Sequence, residues 1–244
     1  MTVTSESWQK YIDGLRKINE AASRKMSAYL HIHQLNTYED IQAAIDYAYA
    51  LATKYGEGAA ELACQMYDAL SALSAELQPA MPAATATYGE VAKAFRGTMK
   101  YSQDADALGS TIGRLVKMAG VDTTMQNALR DGAEWAWIPV GDTCAFCITL
   151  ASRGWQQASK EAVKNGHAEH VHANCDCTYA VRFNKKTNVQ GYDPARYKRI
   201  YDNADGYRPQ DKINAIRRDL YEANKDEINE QKREAYARRQ EEAH

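Results

Sequence analysis

Long apolar runs are missing from this 244-residue chain, so no segment of it is expected to cross a membrane as a helix. The N-terminus, Met1 to Ser7, lacks the basic, then apolar, then small-residue order of a secretory signal, which predicts a chain that begins and stays in a reducing cytoplasm. A charge excess is missing too. Lys and Arg number 30 against 32 Asp and Glu, a formal net charge of -2, so bulk charge gives no support to a dedicated nucleic-acid binder. There is no glycine-rich phosphate loop after a strand, no recognisable Ser/His/Asp arrangement, no internal repeat and no low-complexity block. Cysteine is scarce, and its distribution is the informative part: of five, four fall between positions 144 and 177. Disulfides are disfavoured in a reducing compartment, so clustered thiols read first as metal ligands or redox groups.

What remains is ordinary in bulk. With 45% hydrophobic and 25% charged residues, the composition fits a globular protein of one large domain or two small ones. The N-terminal half is predicted to be helical. Trp8, Tyr11, Ile12, Leu15, Ile18, Ala22, Met26 and Tyr29 recur at three- and four-residue steps. Thr37 is a candidate N-cap for a second helix carrying Ile41, Ala44, Ile45, Ala48 and Leu51, ending at Gly56 and Gly58. A third helix carries Leu62, Met66, Ala69, Leu70, Leu73 and Leu77, with Cys64 as a small buried thiol. Pro79 to Thr87 reads as a linker, followed by shorter helices at about 88–98, 106–118 and 123–131, broken by Gly97, Gly120 and Gly132.

The pattern then changes. Trp135-Ala-Trp-Ile-Pro-Val-Gly places large residues two apart and ends in turn chemistry, predicting a short strand, and Tyr179 to Phe183 predicts another. Asn184 to Asp211 reads as polar loop. From Asp211 onward the chain reads as one charged helix with a thin apolar stripe, about 45–50 Å long at 1.5 Å per residue. Such a helix is either a solvated face or a docking element.

Between the two strands lie Cys144-Ala-Phe-Cys147 and His172-Ala-Asn-Cys175-Asp-Cys177. Tetrahedral zinc takes four Cys or His ligands, usually from two short knuckles on separate segments. Cys144, Cys147 and Cys175 are the first choices, with either His172 or Cys177 completing the shell and the other supporting it. A shell of four thiolates, or of three thiolates and one histidine, is closed to water and substrate, which predicts structural rather than catalytic zinc. A thioredoxin-type redox site would need a βαβ setting that the pattern does not offer. A nucleobase deaminase needs HxE before its CxxC, and here His167-Ala-Glu169 follows it. A His-Asn-His type nuclease is the stronger enzymatic alternative, on His170, His172 and Asn174, but it requires a hairpin and helix that Asn184–Asp211 is not expected to form.

The stretch from Glu134 through Gly141-Asp142, Cys144, Cys147, Leu150 and Arg153-Gly154, with His172 to Cys177 downstream, resembles the Mu F-like minor head proteins of tailed phages and prophages. Ala173 departs from the Pro many relatives carry there, at a position that supplies no ligand. The resemblance covers about 50 residues. It implies a minor capsid protein of head morphogenesis, found in the phage head and, during assembly, in the host bacterial cytoplasm. Its implied partners are the portal or major capsid protein, with packaged DNA within reach and no small-molecule substrate. Some relatives carry a toxin or ADP-ribosyltransferase domain after this module, for which the charged tail is expected to leave no room.

The expectation is therefore an α+β, mostly helical protein: a helical region over 1–131, a zinc-stapled module with short strands over 132–183, and a loop with a long charged helix over 184–244. It is not expected to be an enzyme.

Overall fold

Thr4 leaves a two-residue strand, β1 (Thr2–Val3), and caps the first helix by accepting the Ser7 amide on its hydroxyl. This is the start of a computed structural model that describes residues 2–72, 77–141, 143–159 and 175–242. The expected fold class is what the structure shows, mostly helix with a small sheet of short strands. The described residues divide into two compact units, Met1–Val140 with Trp155–Tyr192, and Gly141–Gly154 with Asp193–His244.

The first unit is a helical bundle carrying a sheet. Helix α1 (Ser5–Ile32) buries Trp8, Tyr11, Ile12, Leu15, Ala22 and Met26, most of the predicted stripe. Helix α2 (Tyr38–Ser71) begins at Thr37 in a full capping box with Asp40, two backbone donors being satisfied by two side chains. It runs straight through Gly56 and Gly58, where two helices were expected. The reason is packing: a Cβ at Gly56 would stand 2.9 Å from Thr85 Cγ2. Leu77 lies beyond the helix, and Leu73 is outside the described residues.

Helix α3 (Tyr88–Met99) is capped by Thr87 and Glu90 in the same way. Helix α4 (Ala105–Arg130) is likewise one element rather than two. Gly120 sits where a Cβ would come 3.1 Å from the Ala59 carbonyl of α2, and Gly109 where one would come 2.6 Å from the Ser23 carbonyl of α1. These glycines let helix backbones approach closely. Around α4 the chain buries Phe95, Leu108, Ile112, Ile45 and Met26, each contributing about 1.5–3 kcal/mol of apolar transfer.

The segment expected to be a linker is bound along its length. The Asn127 side chain accepts the Met81 amide at 2.9 Å and donates to the Met81 carbonyl at 2.8 Å, while Ala83 donates to Thr123 Oγ1 at 3.0 Å. Helix α4 ends at Gly132, whose φ of +62° suits glycine, with the Ala133 amide reaching back to the Ala128 carbonyl. The chain then enters β2 (Glu134–Ile138), the middle of a three-stranded antiparallel sheet with β3 (Gln156–Gln157) and β4 (Thr178–Arg182). Trp137 faces Tyr179 and Ile138 faces Thr178. A further two-residue strand, β5 (Asn188–Val189), pairs in parallel with β1.

The second unit contains α5 (Ala145–Ala151), α6 (Pro194–Asn203), α7 (Pro209–Ala223) and α8 (Lys225–Glu242). Helix α6 lies in the stretch expected to be loop. Asp193 caps it by accepting the Ala195 amide at 3.0 Å, and Pro194 occupies the first turn, where no amide is needed. The expected single tail helix is two, separated at Asn224, whose side chain donates to the Leu220 carbonyl at 3.0 Å. Ala145, Ile148, Ala204, Ala215 and Ile216 form the small core. The Lys212 ammonium closes the end of α6 by donating to the carbonyls of Tyr201, Asp202 and Ala204 at 3.0, 3.1 and 2.9 Å.

Candidate metal centre

Cys144 is placed by helix capping. Its backbone is extended, φ -72° and ψ 162°, and its sulfur accepts the Cys147 amide at 3.4 Å as the N-cap of α5. One turn of helix then carries Cys147 to the same side, buried. Cys175 and Cys177 come from the segment that leads into β4, and both are buried. Antiparallel pairing of β2 with β4 brings the end of β2 beside this segment, so that the Val140 amide donates to Cys177 Sγ at 3.3 Å. Backbone N–H groups aimed at sulfur favour the thiolate, the form that binds metal.

The sulfurs of Cys175 and Cys177 lie within 4.8 Å of one another. A tetrahedral zinc with Zn–S of 2.3 Å needs sulfurs about 3.8 Å apart. The cysteines fit that ion chemically: each is a soft thiol, none is a carboxylate, and Cys147, Cys175 and Cys177 are buried. Cys144, half-buried at the head of α5, is the fourth sulfur available. His172, the other ligand considered from sequence, lies outside the described residues, as do His167, Glu169, His170 and Asn174. Cys64 stands apart on α2, and burial, reinforced by Glu61 and Asp68, pushes its thiol up. That is the electrostatics of an inert structural thiol.

Two groups around the second knuckle were not legible from spacing. Lys117 on α4 is 2% exposed, and its ammonium donates to the Cys175 carbonyl. Asp176 lies between the two cysteines. Burial pushes its carboxyl up, against the opposing charges of Lys117 and Arg16, whose guanidinium is 3.9 Å away. The one sequence signal for Lys117 is a charged residue set among Leu115, Val116 and Ala119, a position that ordinarily reads as solvated.

A family model described as "VG15 protein" matches residues 2–204. No curated protein and no solved structure matches the chain. No helix among the described residues is long and apolar enough to cross a membrane.

Proposed function

The chain belongs to the VG15 protein family, a family of viral and phage gene products, and from that premise we propose that it is a minor capsid protein acting in head morphogenesis of a tailed bacteriophage. It binds the portal or the major capsid protein during assembly in the host cytoplasm and remains in the virion, within reach of packaged DNA. It is a structural component and not an enzyme. The observation that carries this reading is the pair of buried thiols Cys175 and Cys177, their sulfurs within 4.8 Å, to which the Cys144 and Cys147 knuckle would add two more ligands. Four thiolates would close the coordination of a zinc ion and leave no position for water or substrate. The metal supplies a cross-link there, and the chain supplies the thiolates, the amides of Cys147 and Val140 that favour them, and the buried setting.

Metal analysis of the purified protein is expected to give one zinc per chain, and Cys147→Ser is expected to lose the metal and the ordered fold around it. Mass spectrometry of purified virions is expected to find the chain, and affinity capture from infected cells to retain portal or major capsid protein. Absence from virions together with no capsid partner would overturn the assembly role. Metal-dependent cleavage of plasmid DNA that disappears in His170→Ala would replace it with a nuclease.

A further inference from the structure

A lysine is an expensive choice for the interior of α4. Burying an ammonium costs several kcal/mol unless something specific compensates it, and a Met or Leu of similar length would pack beside Leu115, Val116 and Ala119 at no such cost. The compensation at Lys117 is directed at one place. Its ammonium donates to the carbonyl of Cys175 and lies 6.0 Å from the centre of the Trp137 ring.

Cys177 is held independently of Lys117, since it adjoins β4 and its sulfur receives the Val140 amide. Both cysteines precede the strand, outside the sheet ladder, with Cys175 the farther from it. Lys117 therefore reaches the member of the pair farther from the sheet, and it brings positive charge to a place where thiolates gather.

We propose that Lys117 is a positioning residue for the metal centre: it holds the Cys175 carbonyl so that the Cys175 and Cys177 sulfurs face the same ion, and it offsets the negative charge of the thiolate shell. The inference rests on the zinc reading above and extends it to a residue that is not a ligand. Groups that support metal ligands in this way typically change affinity by 10–100-fold when removed.

The test is zinc affinity by chelator competition on the full chain, with the absorption of the cobalt-loaded protein as a report on ligand geometry. Lys117→Met is expected to bind zinc about 10–100-fold more weakly and to broaden the cobalt bands. Lys117→Arg, which keeps charge and donors, is expected to recover most of the affinity. Arg16→Gln, which removes the exposed partner of Asp176, is expected to leave affinity within about twofold of the parent. If Lys117→Met does not fold, Lys117→Gln serves in its place, since it keeps a donor and loses the charge. Zinc bound by Lys117→Met or Lys117→Gln as tightly as by the parent, with unchanged cobalt bands, overturns the proposal. A parent chain that takes up no zinc overturns the metal reading itself, and the proposal with it.

Discussion

Residues 1–140 with 155–192 bury Met26, Ile45, Phe95 and Ile112 completely, whereas the cluster in residues 141–154 with 193–244 gathers two isoleucines, Ile148 and Ile216, among alanines. The larger unit can rely on apolar area and on helices brought close by glycine. The smaller one relies on directed interactions: an Asp cap and a Pro at the start of α6, one lysine closing its end, and the Arg208–Asp211 pair at 3.0 Å heading α7. Below a certain core size apolar burial no longer outweighs chain entropy, and caps, staples or metal take a larger share.

The largest effect is expected where the larger unit is tightest. Gly109→Leu puts side-chain atoms into the Ser23 carbonyl of α1 and is expected to cost about 3 kcal/mol, read as a lowered urea midpoint with an unchanged slope. A cost under about 1 kcal/mol would mean that the helices can part without penalty, and the contrast between the units would weaken. Next comes Ile216→Ala, which truncates one of the two isoleucines of the small cluster, at about 2–3 kcal/mol. Here the distribution matters more than the size. Hydrogen exchange is expected to accelerate across α6 and α7 while the amides of α4 keep their protection. Equal acceleration in α4 would show that the two units melt together.

A smaller effect probes a liability inside the larger unit. Burial, reinforced by Glu90, pushes the Asp122 carboxyl up to about 6. The folded chain then holds this proton more tightly than the unfolded one, so stability from this group declines as pH rises from about 4 through 6. Asp122→Asn is expected to raise stability at pH 7 by about 1–3 kcal/mol and to flatten the decline, as followed by thermal melts across that range.

Much of this was legible in sequence, and the misses share a cause. The Trp8 to Met26 stripe and the Thr37 cap announce themselves through spacing, because one helix face and one hydroxyl suffice. The Trp-x-Trp strand is equally local. Gly56 and Gly120 read as breaks because glycine weakens an isolated helix. Their value lies in what stands opposite, Thr85 and Ala59, which spacing does not reveal. The start of α6 was written in Asp193-Pro194, but the polar residues around it masked a two-residue signal. At the candidate metal centre the cysteines stand out by type and spacing. Lys117 did not, because a lysine carries no mark of burial until the Cys175 carbonyl is set above it.

The pairing of Thr2 with Asn188 and Val3 with Val189 has a consequence for the order in which the chain can become whole. On the ribosome Thr2 and Val3 emerge well before Asn188 and Val189, which are not synthesised until the intervening helices have followed. Helices α1 and α2 can form as they leave the exit tunnel, but α4 and the β4 strand arrive much later. The nascent chain therefore carries open apolar faces while these later segments are made, and Thr2 and Val3 wait through that interval to be locked.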